Sequence, residues 1–364
     1  MELNLRHYLI NWLNDRGPNA LEELAEYDIR VGRDERYPNL FNLKYGSILA
    51  DKSNPLVCAC RGAVVERDST GCYNLVAYAF DRFFNVGEGH CHELDWSRAK
   101  VYEKYDGSLI KLFNYGGEWI VSTSGTVAAA AEVGTTGRSF AELFWSVFDE
   151  VGYSRGVLDP DLCYIFELCH RDNRIVVDYA EPQLPLLAVR DRTQDLEELN
   201  LEDYGLRHGY EVAKSYDFGS MEGLMSVINN WGADHEGFVL SDGSGRAKIK
   251  SDIYCQLHRV RGNGEPNFSE LFLNDDLAEF LLHFPEYNDK FDFYIASIKT
   301  MEHWVNATVA AYRNLSQKDF AQAVLAESKE LSGACFALRA GKYGNFSQWL
   351  GSLRSTQLDN LLGI

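Results

Sequence analysis

Positive charge is what this chain has least of: 35 Lys and Arg stand against 54 Asp and Glu, a formal net charge of -19 over 364 residues. Nonspecific affinity for nucleic acid comes from cations neutralising phosphates, so a broad basic coat is excluded, although a local basic groove is not. Cysteine is too thinly spread for a disulfide scaffold, eight in 364 residues. Eight thiols without a secretion signal predict reduced cysteines rather than a disulfide framework. Cys58-Ala59-Cys60 would put two sulfurs on one face of a strand, and His90-Cys91-His92-Glu93 lines up several ligand types, but the combined spacings match no zinc module. These residues read as buried small side chains and a polar loop. No long apolar run is present. Leu5, Tyr8, Leu9, Trp12 and Leu13 mark a helical face interrupted by His7, Asn11 and Asn14, which is neither a signal peptide nor a membrane span.

What is there is globular: 46% hydrophobic and 13% aromatic residues are enough for about two domains with cores of their own. The first 57 residues predict helices followed by extended chain. From Leu56 the texture is β, with Leu56 to Val65 and Tyr73 to Tyr78 read as a hairpin. A strand holds Lys104, with Trp119 to Thr126 its expected partner after the Tyr115-Gly116-Gly117 turn. Tyr164 to Leu168 and Arg174 to Tyr179 read as another hairpin, and Glu236 to Leu240 with Arg246 to Ser251 as a last one. Helices are expected near Ser139 to Val151, Asp195 to Tyr204 and Met221 to Trp231. After residue 262 the period changes: Phe291, Tyr294, Ile298, Met301, Val305, Val309 and Tyr312 recur at steps of three and four. The expectation is therefore an α+β fold, an antiparallel β-sheet core over residues 1–261 followed by an all-α domain over 262–364.

Several charged residues stand where apolar ones belong. Glu167 interrupts the strand Tyr164 to Leu168, where a lone carboxylate needs a cation or a metal, and Arg61 interrupts Leu56 to Val65, where it needs an anion. Lys248 and Lys250 alternate with apolar residues and so share one strand face. Residues 246–261 hold five Arg or Lys (246, 248, 250, 259, 261) against Asp252 alone, a basic patch in an acidic chain. In Lys104-Tyr105-Asp106-Gly107-Ser108 a lysine precedes an acid and a glycine. As a nucleophile that lysine needs an environment that takes its proton, and by itself the motif equally fits a hairpin lysine before an Asp-Gly turn.

The order Arg61-Gly62, Lys104-x-Asp106-Gly107-Ser108, Phe166-Glu167-Leu168, Glu236-Gly237-Phe238 and Lys248-Ile249-Lys250 resembles the covalent nucleotidyltransferases, the ATP-dependent ligases and capping enzymes. Cys60-Arg61-Gly62, Arg82-Phe83-Phe84-Asn85, Asn173 to Val176, Tyr179, Lys248 to Asp252, Tyr254 and Leu257-His258 narrow the resemblance to the phage RNA ligase 1 family, across about residues 40 to 258. That resemblance implies the roles. Lys104 is the nucleophile, with Lys248 and Lys250 beside the α-phosphate. Tyr45, Arg61, Arg82, Phe84, Gly107, Glu167 and Glu236 line the nucleotide, with Phe84 against the base. Asp106, Glu167 and Glu236 face a Mg2+ or Mn2+ ion. Arg82 stands where the family commonly has Lys. Ser124 stands where the family has a basic residue before its glycine, which leaves that position without a cation.

The implied activity is ATP-dependent joining of RNA 3'-OH and 5'-phosphate ends through lysyl-AMP and RNA-adenylate, in RNA repair, with a cleaved tRNA as one candidate substrate. A separate end-healing enzyme is an expected partner. The expected form is a monomer in the cytoplasm, the host's if the chain is virus-encoded, with no membrane contact and with the helical domain choosing the RNA. The alternatives are a DNA ligase or capping guanylyltransferase on the same core, against which the helical period after 262 speaks, or a catalytically silent nucleotide or RNA sensor.

Overall fold

The computed structural model describes residues 4–46, 49–134, 136–232, 234–255, 267–274, 277, 280–281 and 287–363. Leu257, His258, Arg259, Arg261 and the expected boundary at 262 lie outside the described residues. Contacts divide the chain into two compact units: Met1–Ala20, Val31–Tyr45 and Lys52–His258 in one, Leu21–Arg30, Gly46–Asp51 and Arg259–Ile364 in the other. The fold is α+β, with antiparallel sheets and helices, and the C-terminal part is helical, as the sequence pattern implied.

Three sheets are formed, with strands numbered in chain order. The first runs β1 (Ile29–Arg33), β2 (Leu40–Tyr45), β3 (Arg61–Arg67), β4 (Tyr73–Ala77). The second has the order β11-β10-β9-β7-β8, where β7 is Ser108–Tyr115, β8 Glu118–Thr123, β9 Leu162–Leu168, β10 Leu186–Asp191 and β11 Glu197–Glu198. The third has the order β12-β6-β13-β14-β5, where β5 is Phe84–Asn85, β6 Lys100–Lys104, β12 Ser215–Tyr216, β13 Gly237–Ser241 and β14 Arg246–Lys250. Its β14/β5 pair is parallel and the other pairs in the second and third sheets are antiparallel.

Turn chemistry explains the two hairpins. Gly116 and Gly117 both take positive φ, 61° and 88°, which closes β7 onto β8. The β13/β14 turn is held by Asp242, whose Oδ1 accepts the Ser244 and Gly245 amides and whose Oδ2 accepts His92 Nε2 and the Asp95 amide. Ser139 and Glu142 form a capping box that starts the helix Phe140–Glu150. That helix lays Leu143, Phe144, Val147 and Phe148 on Ile110, Leu112, Tyr164 and Phe166 of the second sheet. In the other unit Phe272, Tyr294, Ile298, Val305, Phe320, Phe346 and Leu350 are among the residues that form a helical core.

Three expectations differ from the fold. Leu56 to Cys60 is not strand: Asn54 caps a short helix, Pro55–Ala59, with Pro at its first turn, so Cys58 and Cys60 are not strand neighbours. Residues 174–179 form no strand with β9, whose partners are β7 and β10; the amides of Val176 and Val177 go to a carboxylate instead. The Lys104 strand is not the hairpin partner of Trp119 to Thr126. At Asp106-Gly107 the chain leaves the third sheet, where β6 lies between β12 and β13, and enters the second as β7.

That crossing is tight. A Cβ on Gly107 would lie 2.5 Å from the Leu168 carbonyl oxygen, and one on Gly237 would lie 2.0 Å from that of Ile249. Backbone cannot yield as a side-chain tip can. Gly237→Ala is therefore expected to destabilise by about 2 kcal/mol or more, lowering Tm by roughly 5 °C in a thermal melt.

Candidate active site

Gly237 pairs with Lys104 on one side and with Lys250 on the other, so a single rung across β6, β13 and β14 carries both lysines. Residues on one rung share a face. Glu236, 4% exposed, lies between them: its Oε2 accepts from Lys104 Nζ at 2.7 Å, and its Oε1 is 3.2 Å from Lys250 Nζ. Lys248 is two residues before Lys250 on the same strand face, opposite Val239.

Glu167 reaches the rung from the second sheet, where it pairs with Leu109. Burial pushes its carboxyl up to about 7; the charges of Lys104 and Arg61 oppose that rise, and those of Glu236 and Asp106 add to it. Its carboxylate takes no hydrogen bond among the described residues. Four of the other expected residues, Lys104, Asp106, Glu236 and Arg61, are thus within electrostatic reach of Glu167. A cavity of about 210 Å³ opens beside Lys104 and Glu236, with Tyr105, Tyr179, Gln183 and His235 also in its wall.

The cation and aromatic residues expected to line the nucleotide form a second cluster. Arg82 donates to the Tyr45 hydroxyl and lies over two rings, 5.2 Å from the centre of Tyr45 and 5.0 Å from that of Phe84. Phe84 is buried and also touches the His90 ring at 5.6 Å. Arg61 opens β3 and stacks over Phe83 at 5.1 Å; among the described residues it has no ion pair. An arginine held by a ring face keeps its hydrogen-bond donors for an incoming anion.

Asp106 faces inward. Its Oδ2 accepts the amides of Val176 and Val177, both at 2.7 Å, and its Oδ1 accepts the Tyr254 hydroxyl at 2.8 Å, while its own amide donates to the Tyr179 hydroxyl. The carboxylate expected to face a metal thus ties segment 176–179 and the helical residues 252–255 after β14 to the Lys104 strand. Among the described residues, no group of three or more His, Cys, Asp or Glu is arranged to hold a metal ion. Glu236 and the unbonded Glu167 are the carboxylates that fit a divalent ion, one reached through waters and ligand phosphates rather than caged by protein.

Lys111 was not picked out from the sequence. It is fully buried in β7, and its Nζ donates to the Thr123 carbonyl at 2.7 Å. Burial pushes its ammonium down to about 7, Cys163 opposes this, and Lys44 and Arg61 lower it further. The signal was available: Leu109-Ile110-Lys111-Leu112-Phe113 interrupts an apolar run with a charge as plainly as Glu167 does.

The sequence profile of the RNA ligase family matches residues 59–254, and so spans the motifs just described apart from Tyr45. This chain belongs to that family. It is 30% identical over 357 residues to a protein of Autographa californica nuclear polyhedrosis virus named as a bifunctional polynucleotide kinase/RNA ligase; the match covers 91% of this chain and 48% of that one. An RNA ligase of Rhodothermus phage RM378 is 27% identical over 288 residues, covering 62% of this chain and 65% of that one. The chain therefore spans about half the length of the first relative and just under two thirds of the second. An archaeal ATP-dependent RNA ligase structure overlaps 70% of this chain and 66% of its own at 16% identity, with a TM-score of 0.43, too loose a likeness to bear on function. The family assignment agrees with the resemblance read from the motifs. Among the described residues no helix is long and apolar enough to cross a membrane.

Two substitutions separate buried polar groups by the sign of their effect. Tyr254→Phe leaves an Asp106 oxygen short of a donor and is expected to destabilise by about 1–3 kcal/mol, lowering Tm. Lys111→Met is expected to raise Tm, because the Thr123 carbonyl still accepts from Ser122 Oγ and Asn42 Nδ2 and a buried cation without a carboxylate partner is removed. The folded state holds the Lys111 proton more weakly than the unfolded chain, so the penalty is full below about 7 and fades as pH rises toward the ordinary lysine value. The gain in Tm should accordingly be largest at acid pH and shrink in alkaline buffer.

Proposed function

We propose that this chain is an ATP-dependent RNA ligase that joins a 3'-hydroxyl to a 5'-phosphate. The observation that carries this reading is the rung on which Glu236 bridges Lys104 and Lys250. A lysine meant only for structure needs one anion. Here one buried carboxylate bridges two lysines on the strands that flank β13, which sets two cations where an α-phosphate would arrive.

Lys104 attacks as a free amine, so it first sheds a proton, and the Glu236 carboxylate 2.7 Å away is the acceptor at hand. The amine nitrogen then bonds to the α-phosphorus of ATP as the bond to the pyrophosphate oxygen breaks, leaving lysyl-AMP. Lys250, released from full pairing with Glu236, and Lys248 on the same strand face stabilise charge on the α-phosphate in flight. Arg61, Arg82 and Tyr45 hold the polyphosphate end, and Phe84 packs against the base. Gly107 belongs to the site by letting the motif turn press against Leu168. A bound Mg2+ or Mn2+, reached from Glu167 and Glu236 through waters, would neutralise phosphate charge. Asp106 supports the site from behind, through Tyr254 and segment 176–179, rather than as a bare ligand. The AMP passes to an RNA 5'-phosphate, and the 3'-hydroxyl displaces it.

Residues 1–261 are proposed as the adenylyltransferase and 262–364 as the part that selects RNA. The helical part has eight Lys and Arg against thirteen Asp and Glu, so selection there rests on shape or on a few contacts rather than on a basic coat. The ends it joins imply a healing reaction that leaves 5'-phosphate and 3'-hydroxyl, in keeping with a relative whose name couples a polynucleotide kinase to an RNA ligase.

Incubation with ATP or GTP labelled at the α-phosphate, in Mg2+, tests the reading. Covalent label from ATP that vanishes in Lys104→Ala and falls at least a hundredfold in Lys248→Ala is expected, on the scale of about 3 kcal/mol for one oriented charge at a transition state. Label from GTP alone would indicate capping chemistry, and no label in the unaltered chain would indicate a nucleotide sensor.

A further inference from the structure

Lys111 is a charge that the proposed mechanism does not use. Its side chain lies on the face of the second sheet that carries Glu167: Glu167 pairs with Leu109, and Lys111 is two residues farther along the same strand. The opposite face, with Ile110 and Leu112, is filled by the Phe140–Glu150 helix. The lysine is therefore directed away from that helical core and toward the corner where the first sheet meets β8. Asn42 of β2 donates to the Thr123 and Thr126 carbonyls there, and a Cβ built on Gly62 would come within 2.8 Å of the Ser124 backbone. Lys44 and Arg61, paired across β2 and β3, are within electrostatic reach of Lys111.

The composition of this corner is one-sided. Lys111 makes a single hydrogen bond, to a neutral carbonyl, and no carboxylate pairs with it among the described residues. Among the described residues Arg61 likewise has no ion pair, only the Phe83 ring beneath it. A buried ammonium with cations for neighbours is an arrangement that stability alone disfavours, since a methionine would fill the same space without desolvating a charge. Such a residue is retained where an anion arrives to complete it.

We propose that Lys111 is a cation of the anion subsite, which with Arg61 holds a terminal phosphate in the corner between β3, β7 and the Thr123–Gly125 turn. Lying behind that turn, it acts on the phosphate through a dry, low-dielectric path rather than by direct contact, and so is a positioning residue. Two sources share this chemistry: the pyrophosphate end of the nucleotide and the 5'-phosphate of RNA. The inference rests on the ligase reading for its reaction, but not for its anion.

The test uses the whole chain and two charge-neutral variants. Lys111→Met removes charge and donor; Lys111→Gln removes the charge and keeps a donor for Thr123. Both are expected to raise the KM for ATP in lysyl-AMP formation about tenfold with kcat changed less, the scale of one unit charge acting across several ångströms of protein. Inorganic pyrophosphate alone should raise the Tm of the unaltered chain and fail to raise that of either variant. Returning a cation to the corner, in Lys111→Met combined with Ser124→Lys, should restore both readouts, which a purely structural lysine would not permit. If the loss appears only when adenylate passes to a 5'-phosphorylated RNA, the anion is the RNA end, and the subsite stands.

An unchanged ATP KM, RNA adenylylation and pyrophosphate shift in Lys111→Met would overturn the proposal. So would wild-type behaviour of Lys111→Gln, which would assign the effect to the hydrogen bond. A chain that takes no label from ATP, yet is stabilised by pyrophosphate in a Lys111-dependent way, would remove the ligase reading and keep the subsite.

Discussion

Glu236 between two lysines is the interaction on which the site depends. A buried carboxylate without partners is unfavourable, and two ammonium groups drawn together from the strands that flank β13 repel each other; together, each arrangement relieves the other. The contact is possible because the residue after Glu236 has no side chain. Gly237 pairs with both lysine positions, and its backbone runs against that of Ile249 with no room for a Cβ. Strand register thus decides electrostatics: a slip of one residue would turn Lys104 and Lys250 to the opposite face.

Behind this rung lies a second level of organisation centred on Asp106. Its carboxylate gathers two amides from a segment with no regular partner and a hydroxyl from Tyr254, just after the lysine strand. The acid two residues after Lys104 therefore works mainly on the protein. It holds the crossing from the third sheet to the second, where Gly107 passes under the Leu168 carbonyl and Glu167 is brought to the lysines. Arg61, held over the Phe83 ring, is within electrostatic reach of both Glu167 and the buried Lys111.

Much of this was legible along the chain. Charges interrupting apolar runs marked Glu167 and Arg61, and alternation put Lys248 and Lys250 on one face before any strand was seen. The change of period marked the helical C-terminal part. The β13/β14 hairpin and the Gly116-Gly117 turn followed from their residues, because turn chemistry is local. Residues 174–179 were misread as a strand for a definite reason. Their β-branched run fits a ladder, but their amides were taken by Asp106, about seventy residues earlier in the chain. Leu56 to Cys60 was misread because a capping Asn and a Pro at the first helical turn outweighed the β propensity of a short apolar stretch.

The sequence by itself determined the chemical inventory: a lysine before Asp-Gly, isolated glutamates in apolar strands, paired lysines, and a scarcity of positive charge elsewhere. These follow from side-chain identity and from periods of two and four, which need no knowledge of distant partners. Only the tertiary structure decided which groups meet. Lys104 and Glu236 are 132 residues apart and touch because β6 joins β13 instead of the strand that follows it. Whether a carboxylate is left without a hydrogen bond among the described residues, like Glu167, or takes its donors from the protein, like Asp106, depends on which donors the fold delivers, and no local rule on the chain carries that information.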